Sequence, residues 1–293
     1  MSTPDNHKLV ILIDVTEQMH LTTAKPALLG FLNVFQLGQR FAVVSYAALT
    51  HSTFPLSGLE IYDSREVIDD ACFAVEGLAE RGEDSDMSAA ILAGKSLLRR
   101  LGDPRAMVMI AGSPWTVGVD PLRVLPDDYP IHTVGYHNQG QVQTLQQIAA
   151  QTGGTFHLAD DASALFVDLI NLIETLGIAQ ILGQGTRTLG NDKAFGVTGR
   201  FADGIDAGTV TVYWEDPRVS YADGNSASRM RTVSVVLTEP GGEVWHGEPV
   251  YIGPGFVTFS IPDPTPGTWV VDTTYHGRGE VTVFTTVLQP QQS

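Results

Sequence analysis

The sequence has a single cysteine, Cys72, in 293 residues. One thiol cannot close an intrachain disulfide or build a zinc ribbon, so a disulfide scaffold and a cysteine-rich metal module are both excluded. No run approaches the roughly 18 consecutive apolar residues that a membrane-crossing helix needs. Residues 1–7 place no basic segment ahead of a long apolar one, and the apolar run at 9–13 has a strand's length rather than a secretory signal's. The expectation is a cytoplasmic chain, unless it leaves the cell by another route. Positive charge is also scarce: 17 Lys and Arg stand against 33 Asp and Glu, a net charge of −16. Phosphate backbones and anionic lipid surfaces repel such a chain, which argues against nucleic-acid and membrane partners. What remains is an ordinary globular balance, 43% hydrophobic and 17% charged, at a length that suits two domains.

The texture changes near Gly177. Before it, short apolar runs alternate with helical patterns. Strands are expected at 9–13, 41–46, 52–59, 107–111, 131–136 and 155–158. Between them, apolar residues recur at helical spacing: Ala27, Leu28, Phe31 and Leu32; Ile68, Ala71 and Val75; Met87, Ile91 and Leu98; Leu145 and Ile148; Leu165, Leu169 and Ile173. Gly153-Gly154 and Gly177 read as helix stops. Strands alternating with helices imply a doubly wound, mostly parallel sheet of six strands. The link before residue 52 is too short for a crossover, so the third strand should be an antiparallel edge. After Gly177 the alternating runs at 210–214, 232–237, 256–261, 268–274 and 280–287, separated by turn signals, predict an all-β sandwich. The expected domains are therefore 6–177 and 178–293. Trp214 and Trp269 are expected in the sandwich core.

In an open α/β sheet, ligands gather beyond the carboxyl ends of the strands, where the strand order reverses. The first strand ends in Asp14-Val15-Thr16-Glu17-Gln18-Met19. A carboxylate there, with a hydroxyl two residues on, can give oxygen ligands to a hard cation or can simply tie down a loop. Three further stretches join it: Ser85-Asp86-Met87-Ser88-Ala89-Ala90, Met109-Ile110-Ala111-Gly112-Ser113, and the run from Ile148 to Phe156 through Gly153-Gly154.

These residues resemble the von Willebrand factor type A family. Its first strand ends in Asp-x-Ser-x-Ser, its second metal loop carries a Thr before a small-residue helix, and its fourth strand ends in Thr-Asp-Gly. The resemblance implies a metal-ion-dependent adhesion site built from Asp14, Thr16, Gln18, Ser85 and Gly112. It also implies a degenerate one, because Gln18 stands for a Ser and Gly112 for the Asp. Mg²⁺ or Mn²⁺ is expected to bind weakly or not at all, with Glu17, Asp84 or Asp86 able to compensate in part. Restoring the lost ligands by Gln18→Ser with Gly112→Asp is expected to create binding. No organic cofactor is expected. The implied function is a non-enzymatic protein-interaction module, an adaptor or scaffold whose partner docks on the sheet rim at Glu17, Asp84, Asp86, Ser113 and Trp115. The alternative is a subunit of a larger homomeric or heteromeric assembly, with self-assembly through the sandwich. A hydrolase is disfavoured because no nucleophile is paired with a base.

The remaining motifs read as structure. Gly183-Gln184-Gly185 lacks the Lys-Ser/Thr of a phosphate loop and reads as a linker. His132 and His157 fall in strands, and Cys72 falls on a helix. Asp216, Asp223 and Asn225 form an acidic loop, read as a solvated turn rather than a Ca²⁺ site.

Overall fold

A computed structural model describes residues 7–35, 38–137, 140–222 and 231–291, and the chain divides into two compact units, residues 1–168 and 169–292. In the first unit the chain runs β1 (Lys8–Asp14), α1 (Leu21–Leu32), β2 (Arg40–Tyr46), β3 (Thr50–Phe54), β4 (Glu60–Ile61), α2 (Arg65–Glu76), α3 (Met87–Leu98), β5 (Arg105–Ala111), β6 (Ile131–Tyr136), α4 (Val142–Thr152) and β7 (Phe156–Ala159). Helix α5 (Ala162–Thr175) follows. The sheet order is β3-β2-β1-β5-β6-β7, with β4 also paired to β2. β1, β2, β5, β6 and β7 are parallel, while β3 and β4 are antiparallel to β2. This is the doubly wound α/β sheet that the sequence implies, with β1 flanked by β2 and β5.

The strands are apolar on both faces because helices cover both. Val10 and Leu12 pack with Met107, Met109, Ile91 and Ile148 in one cluster, and alternation turns Leu9, Ile11 and Ile13 to the opposite face. α4 ends where Gly153 takes φ 75°, and its successor lies so close to β6 that a Cβ on Gly154 would stand 2.1 Å from the Ile131 carbonyl oxygen. The expected third strand at 52–59 is shorter than foreseen. It stops at Phe54, before Pro55, and the chain returns through β4 to pair β2 a second time. Proline has no N–H for a ladder, so the apolar run could not continue as one strand.

The second unit is all β beyond α5. Its strands are β8 (Ala179–Leu189), β9 (Lys193–Phe201), β10 (Ala207–Trp214), β11 (Ser220–Tyr221), β12 (Thr232–Thr238), β13 (Val244–Trp245), β14 (Tyr251–Gly253), β15 (Phe256–Pro262), β16 (Gly267–His276) and β17 (Val281–Pro290). One sheet is ordered β14-β15-β10-β17-β8 and the other β11-β12-β16-β9, with β13 on β12. Val212, Trp214 and Phe259 of the first sheet share a buried core with Val233, Trp269 and Val271 of the second. Both tryptophans are anchored through their indole N–H, Trp214 to the Val219 carbonyl at 2.8 Å and Trp269 to that of Thr265 at 2.9 Å.

Gly183-Gln184-Gly185 is not a linker. It lies inside β8, paired to β17 through Gly183↔Val287, Gln184↔Thr286 and Gly185↔Thr285. The glycines are there because β9 crosses close by: a Cβ on Gly183 would lie 2.0 Å from the Thr198 carbonyl oxygen. Gly183→Ala is therefore expected to cost the sandwich about 1–3 kcal/mol. Gly190→Ala, where nothing lies within 4 Å of the added carbon, should be neutral. Urea unfolding of the two variants checks the difference.

Candidate functional site

β1 carries Asp14 to the carboxyl edge of the sheet, where it is fully buried. Four hydrogen bonds converge on its carboxylate. Oδ1 accepts one from the Thr16 N–H at 2.8 Å. Oδ2 accepts three, from the Gly112 N–H at 3.0 Å, the Ser113 N–H at 2.9 Å and the Ser113 hydroxyl at 2.7 Å. Hydrogen bonds to a charged group contribute about 1.5–3 kcal/mol each, so together they offset part of the cost of burying the charge. Burial pushes the Asp14 carboxyl up from its ordinary value, and the Ser113, Thr16 and Gly112 contacts oppose that rise. Tyr46, at the end of β2, is also buried. Its hydroxyl is pushed well above the usual range, first by burial and then by the Asp14 charge.

The chain after Asp14 folds down over the neighbouring strand. Glu17–Met19 make a single 3-10 turn, closed by the Met19 N–H on the Thr16 carbonyl at 3.0 Å. Met19 is fully buried. Its backbone rests on Gly112: a Cβ at position 112 would lie 2.4 Å from Met19 Cα and 2.9 Å from the Gln18 carbonyl oxygen. A side chain at position 112 would meet main chain, which argues against the expectation that Gly112→Asp restores a ligand.

A second network joins the neighbouring loops. The Ser85 carbonyl accepts from the Thr116 and Val117 N–H groups at 3.1 and 3.3 Å, and the Ser85 N–H donates to the Thr116 hydroxyl at 2.9 Å. The Asp86 N–H donates to the Ala47 carbonyl at 2.9 Å, linking the loop after β2. The Asp86 carboxylate caps α3, accepting from the Ala89 N–H at 2.9 Å and from the Ser88 hydroxyl. Two hydroxyl oxygens at this edge, Thr16 Oγ1 and Ser85 Oγ, are buried without a hydrogen-bond partner. Thr16 Oγ1 is near enough to lower the Asp14 pKa but outside hydrogen-bond geometry.

The structure thus brings Asp14, Thr16, Ser85 and Gly112 to one edge, with Gln18 half-buried beside them. It does not make all the named rim residues available. Ser113 is completely buried and donates to Asp14, so it is an internal anchor and not a contact surface. Asp86 is engaged as a helix cap. Glu17 and Asp84 are exposed, with the Thr116 hydroxyl 3.3 Å from Asp84. Trp115 is 36% exposed, its indole N–H held by the Val117 carbonyl. The sequence reading missed Leu49 and Val119, which are 69% and 55% exposed on the same group of loops. An apolar residue in a turn-rich stretch, outside any periodic face, was the signal for both.

The other flagged residues are structural. His132 is buried, and its Nδ1 is paired with the Thr155 hydroxyl at 2.9 Å. His157 lies 3.3 Å from Asp168. Burial pushes the Cys72 thiol up to about 12, far from a nucleophile's range. Asp216 is gripped by Arg218 at 2.9 Å and by Arg231, whose hydrogen bonds hold its carboxyl far below the usual range. Asp223 and Asn225 lie outside the described residues.

Residues 8–171 match the family description von Willebrand factor type A domain. The chain belongs to that family. Among solved structures, a von Willebrand factor type A protein from Catenulispora acidiphila is 14% identical with a TM-score of 0.53, covering 99% of this chain and 59% of its own length. Proximal thread matrix protein 1 of the mussel byssus is 15% identical over 64% of this chain and 50% of that one, TM-score 0.47. The von Willebrand factor domain of the type V pili tip protein Mfa5 from Porphyromonas gingivalis is 12% identical over 61% of this chain and 98% of that one, TM-score 0.46. The chain thus spans between half and two thirds of the first two proteins' length. No curated protein matches the sequence.

Type A domains can hold a divalent ion at this edge, and the residues present here do not fit one. The donor set has one carboxylate, and four protein donors already fall on it, three of them on Oδ2. The second carboxylate position is a glycine closed off by Met19. Among the described residues no group of three or more His, Cys, Asp or Glu side chains is placed to hold a metal. Two neutral hydroxyls and an amide do not replace the missing charge. Asp14→Ala would strand the Thr16, Gly112 and Ser113 donors, and should cost the first unit about 3 kcal/mol or more. Gly112→Asp should destabilise in the same direction, and millimolar Mg²⁺ should rescue neither. Thermal melts with Mg²⁺ and with chelator test both statements, and a Mg²⁺-dependent rise in the melting temperature of the unaltered protein would contradict them.

Proposed function

We infer that this chain is a non-enzymatic protein-binding module whose partner docks on the carboxyl edge of the α/β sheet by direct contact, without a bridging cation. Domains of this family mediate protein interactions. The observation that carries the reading is the pairing of a closed ion position with an apolar, acidic rim. Leu49, Trp115 and Val119 are exposed on loops tied together by the Asp86–Ala47 and Thr116–Ser85 hydrogen bonds, with the carboxylates of Asp84 and Glu17 on the same edge. A half-exposed tryptophan on a hydrogen-bonded loop is the kind of rigid aromatic anchor around which interface energy concentrates. The surrounding carboxylates favour a partner surface that is apolar at its centre and basic at its rim. Asp14 is the one buried carboxylate among the described residues, and its full burial under four protein donors keeps it from the reach a general base needs.

Immobilised protein exposed to extract of its native cell tests the reading. A specific partner is expected to be retained equally in Mg²⁺ and in chelator, and to be lost on Trp115→Ala with Val119→Ser. Loss in chelator would return the function to a metal bridge. Retention by the double variant would move the docking surface elsewhere.

A further inference from the structure

The opposite edge of the same sheet, where β5 and β6 begin, holds a pocket of about 480 Å³. That volume lies in the range of about 300–1,000 Å³ typical of ligand sites. The last turns of α3 contribute Leu92 and Lys95, the residues just after it Arg99 and Arg100, and the start of β5 contributes Arg105 beside Tyr129. Asp128 is the one acidic residue in the lining, so four cations face a single carboxylate in a chain of net charge −16.

Two of these cations are engaged internally. Lys95 Nζ donates to the Val124 and Leu125 carbonyls, each at 2.9 Å. Arg105 is paired with Asp103 at 2.9 Å and Asp128 at 2.8 Å, and lies 4.9 Å from the centre of the Tyr129 ring. Arg99 and Arg100 differ: both are exposed, and neither guanidinium has an ion pair or hydrogen bond among the described residues. Arg100 also has φ 68°. This left-handed position just beyond a helix end is one that glycine usually fills. The chain therefore carries backbone strain that places an arginine, and not a glycine, at the mouth of the pocket.

The chemistry of the walls selects among anions. Phosphate groups gather at helix N-termini, where N–H groups and the positive end of the dipole face them. Here the wall is the C-terminal end of a helix, where the dipole gives an anion no help, so the guanidinium groups alone must hold it. A singly charged carboxylate suits each guanidinium fork, and its methylene stem suits the half-exposed Leu92 and the Tyr129 ring. We propose that this pocket binds an acidic peptide segment, with Arg99 and Arg100 each pairing one carboxylate side chain. The site is independent of the rim that carries Trp115.

Fluorescence anisotropy with a labelled hexaglutamate peptide, at low salt and at about 150 mM, tests the proposal. Binding by the unaltered protein is expected, with a drop on the order of tenfold for Arg99→Gln with Arg100→Gln. Arg187→Gln, a change in the second unit, should leave binding unchanged. Unlabelled hexaglutamate should displace the probe, and inorganic phosphate at matched ionic strength should not. Arg100→Gly should weaken binding while raising the melting temperature, since it removes both a charge and the strain. The proposal is overturned if the unaltered protein fails to bind, if the double Gln variant binds as well, or if phosphate displaces the probe equally. Arg100→Gly that lowers the melting temperature with binding intact would assign the arginines to capping α3 alone.

Discussion

The Asp14 carboxylate is the knot of the α/β unit's carboxyl edge. It lies at the end of the strand flanked by β2 and β5, and it takes donors from its own loop and from the loop that leaves β5. A buried charge is tolerated only when its lone pairs are filled. Filling them fixes Gly112 and Ser113 against β1, which in turn sets the floor on which Met19 rests. The next residues then leave the sheet from a defined point, so Thr116 and Val117 reach the Ser85 loop, and Trp115 is carried between them and the strand end. The exposed aromatic owes its position to an interaction several residues away that it does not itself make.

The two edges of the sheet also carry opposite local charge, and helix direction accounts for it. α3 starts at the Asp14 edge and ends at the other. Asp84 and Asp86 stand at its N-terminus, and Lys95, Arg99 and Arg100 stand in and after its last turn. Each sign complements the end of the helix dipole it faces, an effect of about 0.3–1 kcal/mol per charge at an exposed terminus. Dipole compensation explains cations at that end in general. It does not explain an arginine held at positive φ, where a glycine followed by a cation would serve the helix equally well.

Much of this architecture was legible in the sequence because buried parallel strands are continuous apolar runs. The runs around Ile11, Val43, Met109 and Val134 could be read directly, as could the stop at Gly153. The linker error has a plain cause: chain composition hides backbone proximity. Gly183 and Gly185 look like linker residues, yet each is small because another strand passes beside it, at Thr198 and Phe195. The expected strand at 52–59 ran through Pro55, whose break was there to be read. At the candidate site the positions of Asp14 and Thr16 were readable from their place after the first strand, while Ser85 and Gly112 came with the resemblance to the type A family. Their roles were not readable, because the decisive partner of Asp14 is Ser113, 99 residues away.

That partner changes what a lost metal ligand means. With a glycine for an aspartate, an adhesion-type site first looks like a functioning one with a ligand deleted. In this chain the deletion belongs to a set of mutually dependent features. Lacking a Cβ, Gly112 lets the Gln18–Met19 backbone close over the strand end. That closure buries Asp14, and burial requires donors, which Ser113 and two further N–H groups supply in a cation's stead. Reversing one feature leaves the others opposed to it. An added carboxylate would meet main chain, and a removed carboxylate would leave donors buried without acceptors. The Asp14 carboxylate thus has protein donors in place of an ion, while the Thr16 and Ser85 hydroxyls on the same edge stay buried without a hydrogen-bond partner. On the function proposed above, recognition draws on what the loops expose, Leu49, Trp115, Val119 and the carboxylates around them, and its strength is expected to follow apolar burial and ionic strength.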